Sequence, residues 1–426
     1  MLEWRTRFWL KSYLRSSMWL VPLGAYVVSL VAISVLGWID ARMQWQWAWQ
    51  LNVEIVQNVL QMFVAAMLSF IVFTFGSLLV AVQIASAQLS PRIIATVLLR
   101  DNTIRLIAAL FILSLVFDLG LLARTQASVL YLPLTVSVLL NLTAIGAFLY
   151  LMDYAARLLR PITIVWRLGE QGLQVIDQIY PSRIKGSLAP APSMPVLGVP
   201  AREIPHRGKS AIILAIQFEI LRYEAERTGG VVEFAYRVGD FVATGETLFR
   251  LHGDAAAAND AMLFAAVAMG TERTIEHDPT FAYRVIVDIA IKALSSAIND
   301  PTTAVLAIDQ IKRLLRAVGR RHLHDDVIHD AAGNLRVVYR TPSWDDFVQL
   351  SCREIRLYGA ANFQIARRLR SMLENLQQAL PEARGPALRK ELDLLDQALV
   401  RLDMLPDDLA LARLADRQGL GAARRS

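Results

Sequence analysis

The chain has 426 residues, 55% of them hydrophobic, and 44 Lys and Arg stand against 38 Asp and Glu for a formal net charge of +6. That length allows two or three domains. The single cysteine, Cys352, excludes an intrachain disulfide framework and suits a reducing compartment. In so apolar a chain the basic excess reads as Lys and Arg holding one face of a bilayer, not as a nucleic-acid footprint.

The N-terminal MLEWRTRFWLKSYLRSS is basic and aromatic. The apolar run behind it is too long for a signal-peptide core and ends in GWID instead of small residues, so it is expected to stay as an anchor. Four stretches are long enough to span a membrane: residues 18–38, 55–85, 104–122 and 129–150. Arg5, Arg7, Lys11 and Arg15 precede the first, Arg92, Arg100 and Arg105 separate the second from the third, and Arg157, Arg160 and Arg167 follow the fourth. Only Arg42 and Arg124 fall on the other side, so both termini are expected in the cytoplasm. Trp45, Trp47 and Trp49 in the first outer loop have the make-up of an interfacial aromatic belt.

Residues 55–85 hold no charge, and a helix there offers water no polar face. Met62, Ser69, Gly76, Gln83 and Ser90 recur every seven residues, beside a second row of Asn58, Ala65, Val72, Leu79 and Ser86. This period keeps small and polar groups on one side of a long helix. Such a stripe either packs closely against other helices or lines a pore about an oligomer axis. Ser90-Pro91 then signals a new helix start. A short amphipathic helix is expected, with Arg92 as a lipid anchor, a gate or a partner for a carboxylate. Asp118 lies inside the third span, where a carboxyl is a functional candidate by default. Pairing with Arg124 beyond the helix end is the competing explanation. Asp153 can pair with Arg157 at i+4, and Asn141 and Thr143 are expected to bond a neighbouring helix.

Beyond the spans, residues 161–180 read as an amphipathic stalk, and residues 181–210, rich in Pro, Gly and Ser and holding His206, read as a linker. Residues 211–228 are expected to be helical and to stop at Gly229-Gly230. Residues 231–253 alternate apolar and polar positions around turns at 238–240 and 244–246, a small antiparallel β unit. Its VGDFVATGETL resembles the hammerhead hairpins of biotinyl/lipoyl-type domains, but no lysine occupies the tip, so no cofactor is expected. An Ala-rich helix over 254–269 should follow.

Asp278-Pro279 and Asn299-Asp300-Pro301 each place Asp before Pro, the N-cap and first-turn arrangement. Arg284, Asp288 and Lys292 share a helix face at i+4 spacing. Structural capping explains much of this motif; the alternative is that Arg273, His277, Arg284, Asn299 and Asp300 converge on a ligand. His322, His324, Asp325, Asp326, His329 and Asp330 match no standard zinc spacing. Residues 330–334 read better as a hairpin turn, and no metal is expected. Residues 344–414 are amphipathic helices broken at Pro381 and Gly385, and the tail should be disordered. Cys352 lacks a visible His partner and is read as structural. With no P-loop, dinucleotide fingerprint or nucleophile elbow, no enzyme is expected.

These elements give a membrane α-helical domain of four transmembrane helices over 1–160 and a stalk and linker over 161–210. A cytoplasmic α+β domain with a small β module follows over 211–342, then C-terminal helices over 343–415 and a tail over 416–426. SAQLSPR at 86–92, GDFV at 239–242, DPTF at 278–281, ALS at 293–295 and INDPTTA at 298–304 carry a resemblance that spans nearly the whole chain. With them the chain resembles a bacterial family of predicted membrane proteins filed as a domain of unknown function. Ser296-Ala297 depart from the Pro-Gly of that family's A-L-S-P-G-x-N-D-P. The resemblance implies the topology and a bacterial inner membrane, and it supplies no activity. The function expected is a homo-oligomeric ion channel or channel-like protein, its second span lining the axis and its cytoplasmic domain gating or sensing a ligand. The alternative is a non-conducting membrane-anchored sensor or scaffold. Expected partners are membrane lipids, copies of the same chain, and a small ion or small molecule, with no nucleic acid.

Overall fold

The computed structural model describes residues 19–43, 51–88, 101–126, 128–158, 160–184, 195–323 and 326–421, with residues 4, 6, 7, 14 and 17 ahead of them. Trp45, Trp47, Trp49, the helix start at Ser90-Pro91 and Arg92 lie outside the described residues. The chain divides into two compact units, one within Lys11–Ala87 and Pro91–Ile164 and the other built mainly of Val165–Ser426.

The first unit holds four helices long and apolar enough to cross a membrane: α1 (Leu20–Met43), α2 (Val53–Gln88), α3 (Asn102–Arg124) and α4 (Tyr131–Leu158). Asp101 caps α3 by accepting from the Thr103 and Ile104 amides at 2.9 and 3.3 Å. Polar side chains then pin the ends of the spans. Arg105 donates to the Leu14 carbonyl at 2.9 Å, Arg124 to the Ile33 carbonyl at 2.8 Å, and Asp40 accepts from the Leu132 amide at 2.9 Å. Within apolar surroundings such bonds give charged side chains partners that a bilayer does not supply. Ile33, Val56, Leu60, Phe117 and Leu121 form the buried centre. Phe70 of α2 stacks on Phe148 of α4 at 4.6 Å.

The second unit takes up α5 (Pro161–Ile179) from Val165 onward. Residues 161–180 were expected to leave the membrane as a stalk. α5 is the amphipathic helix expected there, and from Val165 onward it buries Val165, Leu168, Val175 and Ile176. Gly172 makes this possible, because a Cβ there would stand 2.9 Å from Leu314 and 3.1 Å from Ala282. Arg313 pairs with Glu170 at 2.6 Å, and Arg321 pairs with Asp177.

The β module is wider than the sequence suggests. One sheet has the order β1 (Arg202–Pro205), β5 (Thr247–His252), β3 (Val231–Phe234), β8 (Leu335–Val338) and β7 (Val327–His329). The other has the order β4 (Phe241–Val242), β2 (Ala211–Ile216) and β6 (Val267–Gly270). All neighbours pair antiparallel except β3 with β8. β1 thus comes from the expected linker. β4 and β5, expected within one small antiparallel unit, enter different sheets. Residues 211–228 divide into β2 and α6 (Phe218–Thr228), since AIILAI is buried as a strand before Gln217 turns the chain into the helix. Residues 254–269 are not one helix either: a 3-10 turn, α7 (Asp260–Ala265) and β6 follow one another. Asn259 starts α7 by accepting from the Ala261 amide at 2.9 Å, interrupting the Ala-rich run. Ile204, Ile213, Leu221, Val232, Phe234, Val242, Phe249 and Leu251 belong to one buried cluster of this module.

The remaining helices are α8 (Pro279–Ala293), α9 (Pro301–Gly319), α10 (Trp344–Gly359), α11 (Phe363–Ala379), α12 (Gly385–Val400) and α13 (Pro406–Ala412). α8 packs on α9 and α10, and α11 on α9 and α12. The tail is held as far as Gly421: Asp416 accepts from the Gln418, Gly419 and Gly421 amides, and Arg367 donates to the Gly421 carbonyl at 2.7 Å.

Candidate functional site

In the membrane unit the small and polar row of α2 faces away from the chain's own helices. Asn58, Ala65, Ser69, Gly76 and Gln83 are all exposed, as are Met62, Val72 and Leu79. A Cβ placed on Gly76 would meet nothing within 4 Å. The opposite face, with Val56, Leu60 and Met67, is the buried one. The Ser69 hydroxyl bonds back to the Ala65 carbonyl at 2.8 Å, so it makes no demand on a neighbour. The side chain of Ser86, and Ser90 with Arg92, lie outside the described residues.

Asp118 does not pair with Arg124, whose guanidinium is committed to the Ile33 carbonyl and the Ser34 hydroxyl. Its carboxyl is fully buried and accepts from the Ser137 hydroxyl at 2.5 Å and the Asn141 amide at 2.9 Å. Asp118 therefore ties α3 to α4. Asn141 bonds a neighbouring helix as expected, but Thr143 does not: its hydroxyl turns back to the Leu139 carbonyl at 2.7 Å. Asp153 and Arg157 form the i+4 ion pair.

In the second unit the residues singled out between Arg273 and Asp300 separate into three places. Arg284 bridges Asp288 on its own helix and Glu354 on α10, and these bonds raise the guanidinium above its ordinary range. Asn299, at φ +48°, and Asp300 lie beyond the far end of α8, where Asp300 caps α9 by accepting from the Thr303 amide at 3.1 Å. A 15-residue helix, about 22 Å long, separates them from Asp278. The convergence of Arg273, His277, Arg284, Asn299 and Asp300 on one ligand is thus not what the fold produces.

Arg273, His277 and Asp278 do stand together at the start of α8. Asp278 caps the helix by accepting from the Phe281 amide at 3.3 Å and also bonds the Thr280 hydroxyl. Its second oxygen, Oδ2, makes no hydrogen bond although the residue is only 4% exposed. Arg273 Nε lies 3.6 Å from that oxygen and is likewise without an acceptor. Gly239 allows this approach. At φ +93° it presents bare backbone, and a Cβ there would come 2.6 Å from Asp278 Oδ2. Burial pushes the Asp278 carboxyl up from its usual range.

His277 and Asp278 line a cavity of about 220 Å³. Its remaining wall comes from residues the sequence did not single out as a site: Tyr180 at the end of α5, Phe218 at the start of α6, Val238 before the turn, and Arg340 and Thr341 after β8. The segments that carry Tyr180 and Thr341 are fixed by hydrogen bonds. Arg321 donates to the Tyr180 and Pro181 carbonyls at 3.0 and 2.9 Å. Asp326 accepts from the Thr341 amide at 2.8 Å and hydroxyl at 2.5 Å. Burial, with the nearby Asp278, Tyr339 and Asp326, raises the Tyr180 phenol above its ordinary range. Of the His and Asp residues after α9, Asp326 holds the cavity wall and Asp330 closes the β7–β8 turn, while His324 and Asp325 lie outside the described residues. Among the described residues no three His, Cys, Asp or Glu side chains gather as a metal site requires.

The sequence profile of the family described as predicted membrane protein (DUF2254) matches residues 15–375. The chain belongs to this family. The match takes in all four apolar helices and every residue of the cavity wall named above. Uncharacterized proteins of Mycobacterium bovis and Mycobacterium tuberculosis are each 27% identical over 432 residues, covering 97% of this chain and 81% of the relative. No solved structure matches the chain. The family and the four apolar helices make this a membrane protein.

Proposed function

We propose that the protein is a homo-oligomeric, channel-like protein of a bacterial inner membrane, with α2 of each copy lining a common axis. The observation that carries this reading is the exposed row Asn58, Ala65, Ser69, Gly76 and Gln83 on a helix that holds no charge between Ile55 and Gln88. A single chain leaves the side chains of Asn58 and Gln83 exposed at the two ends of this row and the small residues between them uncovered, and unpaired polar surface is unfavourable in a bilayer. Copies arranged about an axis give the row either a neighbouring helix or water. α2 has 36 residues and a length of about 54 Å, well beyond the ~30 Å hydrocarbon core, so its end projects past the lipid. The placement of Arg and Lys assigns both termini and the second unit to the cytoplasm.

The test is conductance of purified protein in planar bilayers, with Ser69→Cys probed by a thiol reagent during recording. Current that falls on modification supports the reading. Silence across ions and voltages, or a single-copy protein in detergent, overturns it. A non-conducting, membrane-anchored sensor is the second reading, and the cavity beside Asp278 favours it. Neither reading assigns a catalysed reaction or a cofactor.

A further inference from the structure

We propose that Lys312 and Arg316 of α9, Arg368 of α11 and Arg417 of the tail form a binding site for a multiply charged phosphate group. A soluble molecule or a lipid headgroup can carry that group, and both present the same chemistry to the site.

Three segments of the second unit build the cluster. Lys312 and Arg316 stand one turn apart on α9, a spacing that puts Cβ atoms ~5–6 Å from each other, and Asp309 shares their side of the helix. Arg368 crosses from α11 to donate to Asp309 at 2.7 Å. It also donates to the Asp416 and Arg417 carbonyls at 3.1 and 2.6 Å. One side chain thus ties α9, α11 and the tail together. The tail turn comes this close because of Gly419, at φ +77°, where a Cβ would stand 2.7 Å from Val305 of α9. Asp416, buried and accepting from the Gln418, Gly419 and Gly421 amides, fixes the turn that carries Arg417.

Charge is what this construction leaves unbalanced. Four cations stand against one carboxylate, Asp309, and Arg368 already holds it. Among the described residues the side chains of Lys312, Arg316 and Arg417 have no hydrogen-bond or ion-pair partner. Like charges one turn apart destabilise a helix, and a half-buried ammonium is unfavourable without a partner. Burial foremost, then Arg368, Arg316 and Arg417, pulls Lys312 below its ordinary range, with Asp309 acting in the opposite sense. A merely solvated face intersperses charges of both signs. Here three uncompensated cations converge, with Arg316 and Arg417 exposed and open to approach. Guanidinium forks and an ammonium match the oxygens of a phosphate. A phosphate chain also concentrates several charges on a compact group, whereas a carboxylate brings one.

This inference does not rest on conduction, and its test reads binding alone. Full-length protein in detergent is titrated by calorimetry with inorganic pyrophosphate, inorganic triphosphate and, as a multiply charged carboxylate, citrate. Triphosphate is expected to bind, and more tightly than citrate. Lys312→Gln and Arg417→Gln are each expected to weaken triphosphate binding about tenfold, as when one hydrogen bond between charged groups is lost. Arg401→Gln removes an exposed cation elsewhere and is expected to leave affinity unchanged. Both cluster variants relieve repulsion, so without ligand they are expected to unfold no earlier than the parent. Nanodiscs separate the two sources. If phosphatidic acid in a phosphatidylcholine disc competes with triphosphate, the headgroup occupies the site; if triphosphate binds there as in detergent, the site serves a soluble phosphate. Either result keeps the proposal. No binding of pyrophosphate or triphosphate, citrate binding as tightly as triphosphate, unchanged affinity in either cluster variant, or an equal loss in Arg401→Gln overturns it.

Discussion

Two buried aspartates occupy the two units of this protein, and they are treated differently. Asp118 lies among membrane helices, where an unpaired carboxyl is most costly, and both its oxygens accept hydrogen bonds from α4. Asp278 lies in the second unit, is nearly as inaccessible, and has one oxygen without a hydrogen bond, beside Arg273 at 3.6 Å. Burial alone therefore does not mark a functional carboxyl. What separates the two is whether the fold completes the hydrogen bonding. At Asp118 it does, so the residue reads as a clasp between α3 and α4. At Asp278 it stops halfway, and Arg273 at 3.6 Å supplies opposite charge in place of the second hydrogen bond.

Substitution sharpens the contrast, and the largest effect belongs to the membrane. Asp118→Leu strands the Ser137 hydroxyl and one Asn141 donor away from water. The expected loss is about 1–3 kcal/mol, the cost of buried groups left unpaired. It is measured by unfolding in mixed micelles, and a change below about 0.5 kcal/mol removes the clasp from the account. Gly172→Val comes next. Its Cβ would press on Leu314 and Ala282, so overpacking of about 1–3 kcal/mol is expected in the second unit. If the variant is as stable as the parent, α5 does not pack there.

Asp278→Asn should differ from both. Asn caps as well as Asp, so little stability is lost. Its signature is a pH dependence. Burial raises the Asp278 carboxyl in the folded state, so the folded form holds a proton that the unfolded form has released. Stability on this account falls as pH rises from the unfolded value, about 4, through the raised folded value. The variant lacks that fall, so the difference between variant and parent should move in the variant's favour with rising pH. Parallel stability curves for the two proteins would show that Asp278 is not a strained carboxyl.

The sequence made the four spans, the two Asp-Pro caps and the Arg284–Asp288 pair legible because each is a local signal. Span boundaries follow from apolar length, and a cap needs only the next few residues. The cavity was half visible: His277 and Asp278 belong to a conspicuous motif, but Tyr180, Phe218 and Arg340 come from segments that meet only through tertiary packing. The β module was misjudged for a related reason. Apolar alternation marks a strand but does not name its partner, so nothing in AIILAI or REIP announced that β2 pairs with β6 or β1 with β5. In the stripe of α2 the period was readable, but whether the chain's own helices would cover it was not.

The smallest expected effect concerns the β7–β8 turn. Asp330 accepts from the Asn334 side chain and amide, the Ala332 amide and Arg336. These bonds, those to Asn334 foremost, hold its carboxyl down to about 2. An acid depressed in the folded state stabilises above its unfolded value, about 4, and loses that contribution as pH falls through the folded one. The turn should therefore keep its protection against amide exchange down to about pH 4 and lose it progressively toward pH 2. Asp330→Ala should exchange faster across β7 and β8 already at neutral pH, with the cavity wall at Thr341 less affected because Asp326 holds it separately. Equal loss at both places would mean that the hairpin and the wall open as one piece, and the separate duties assigned to Asp326 and Asp330 would have to be merged.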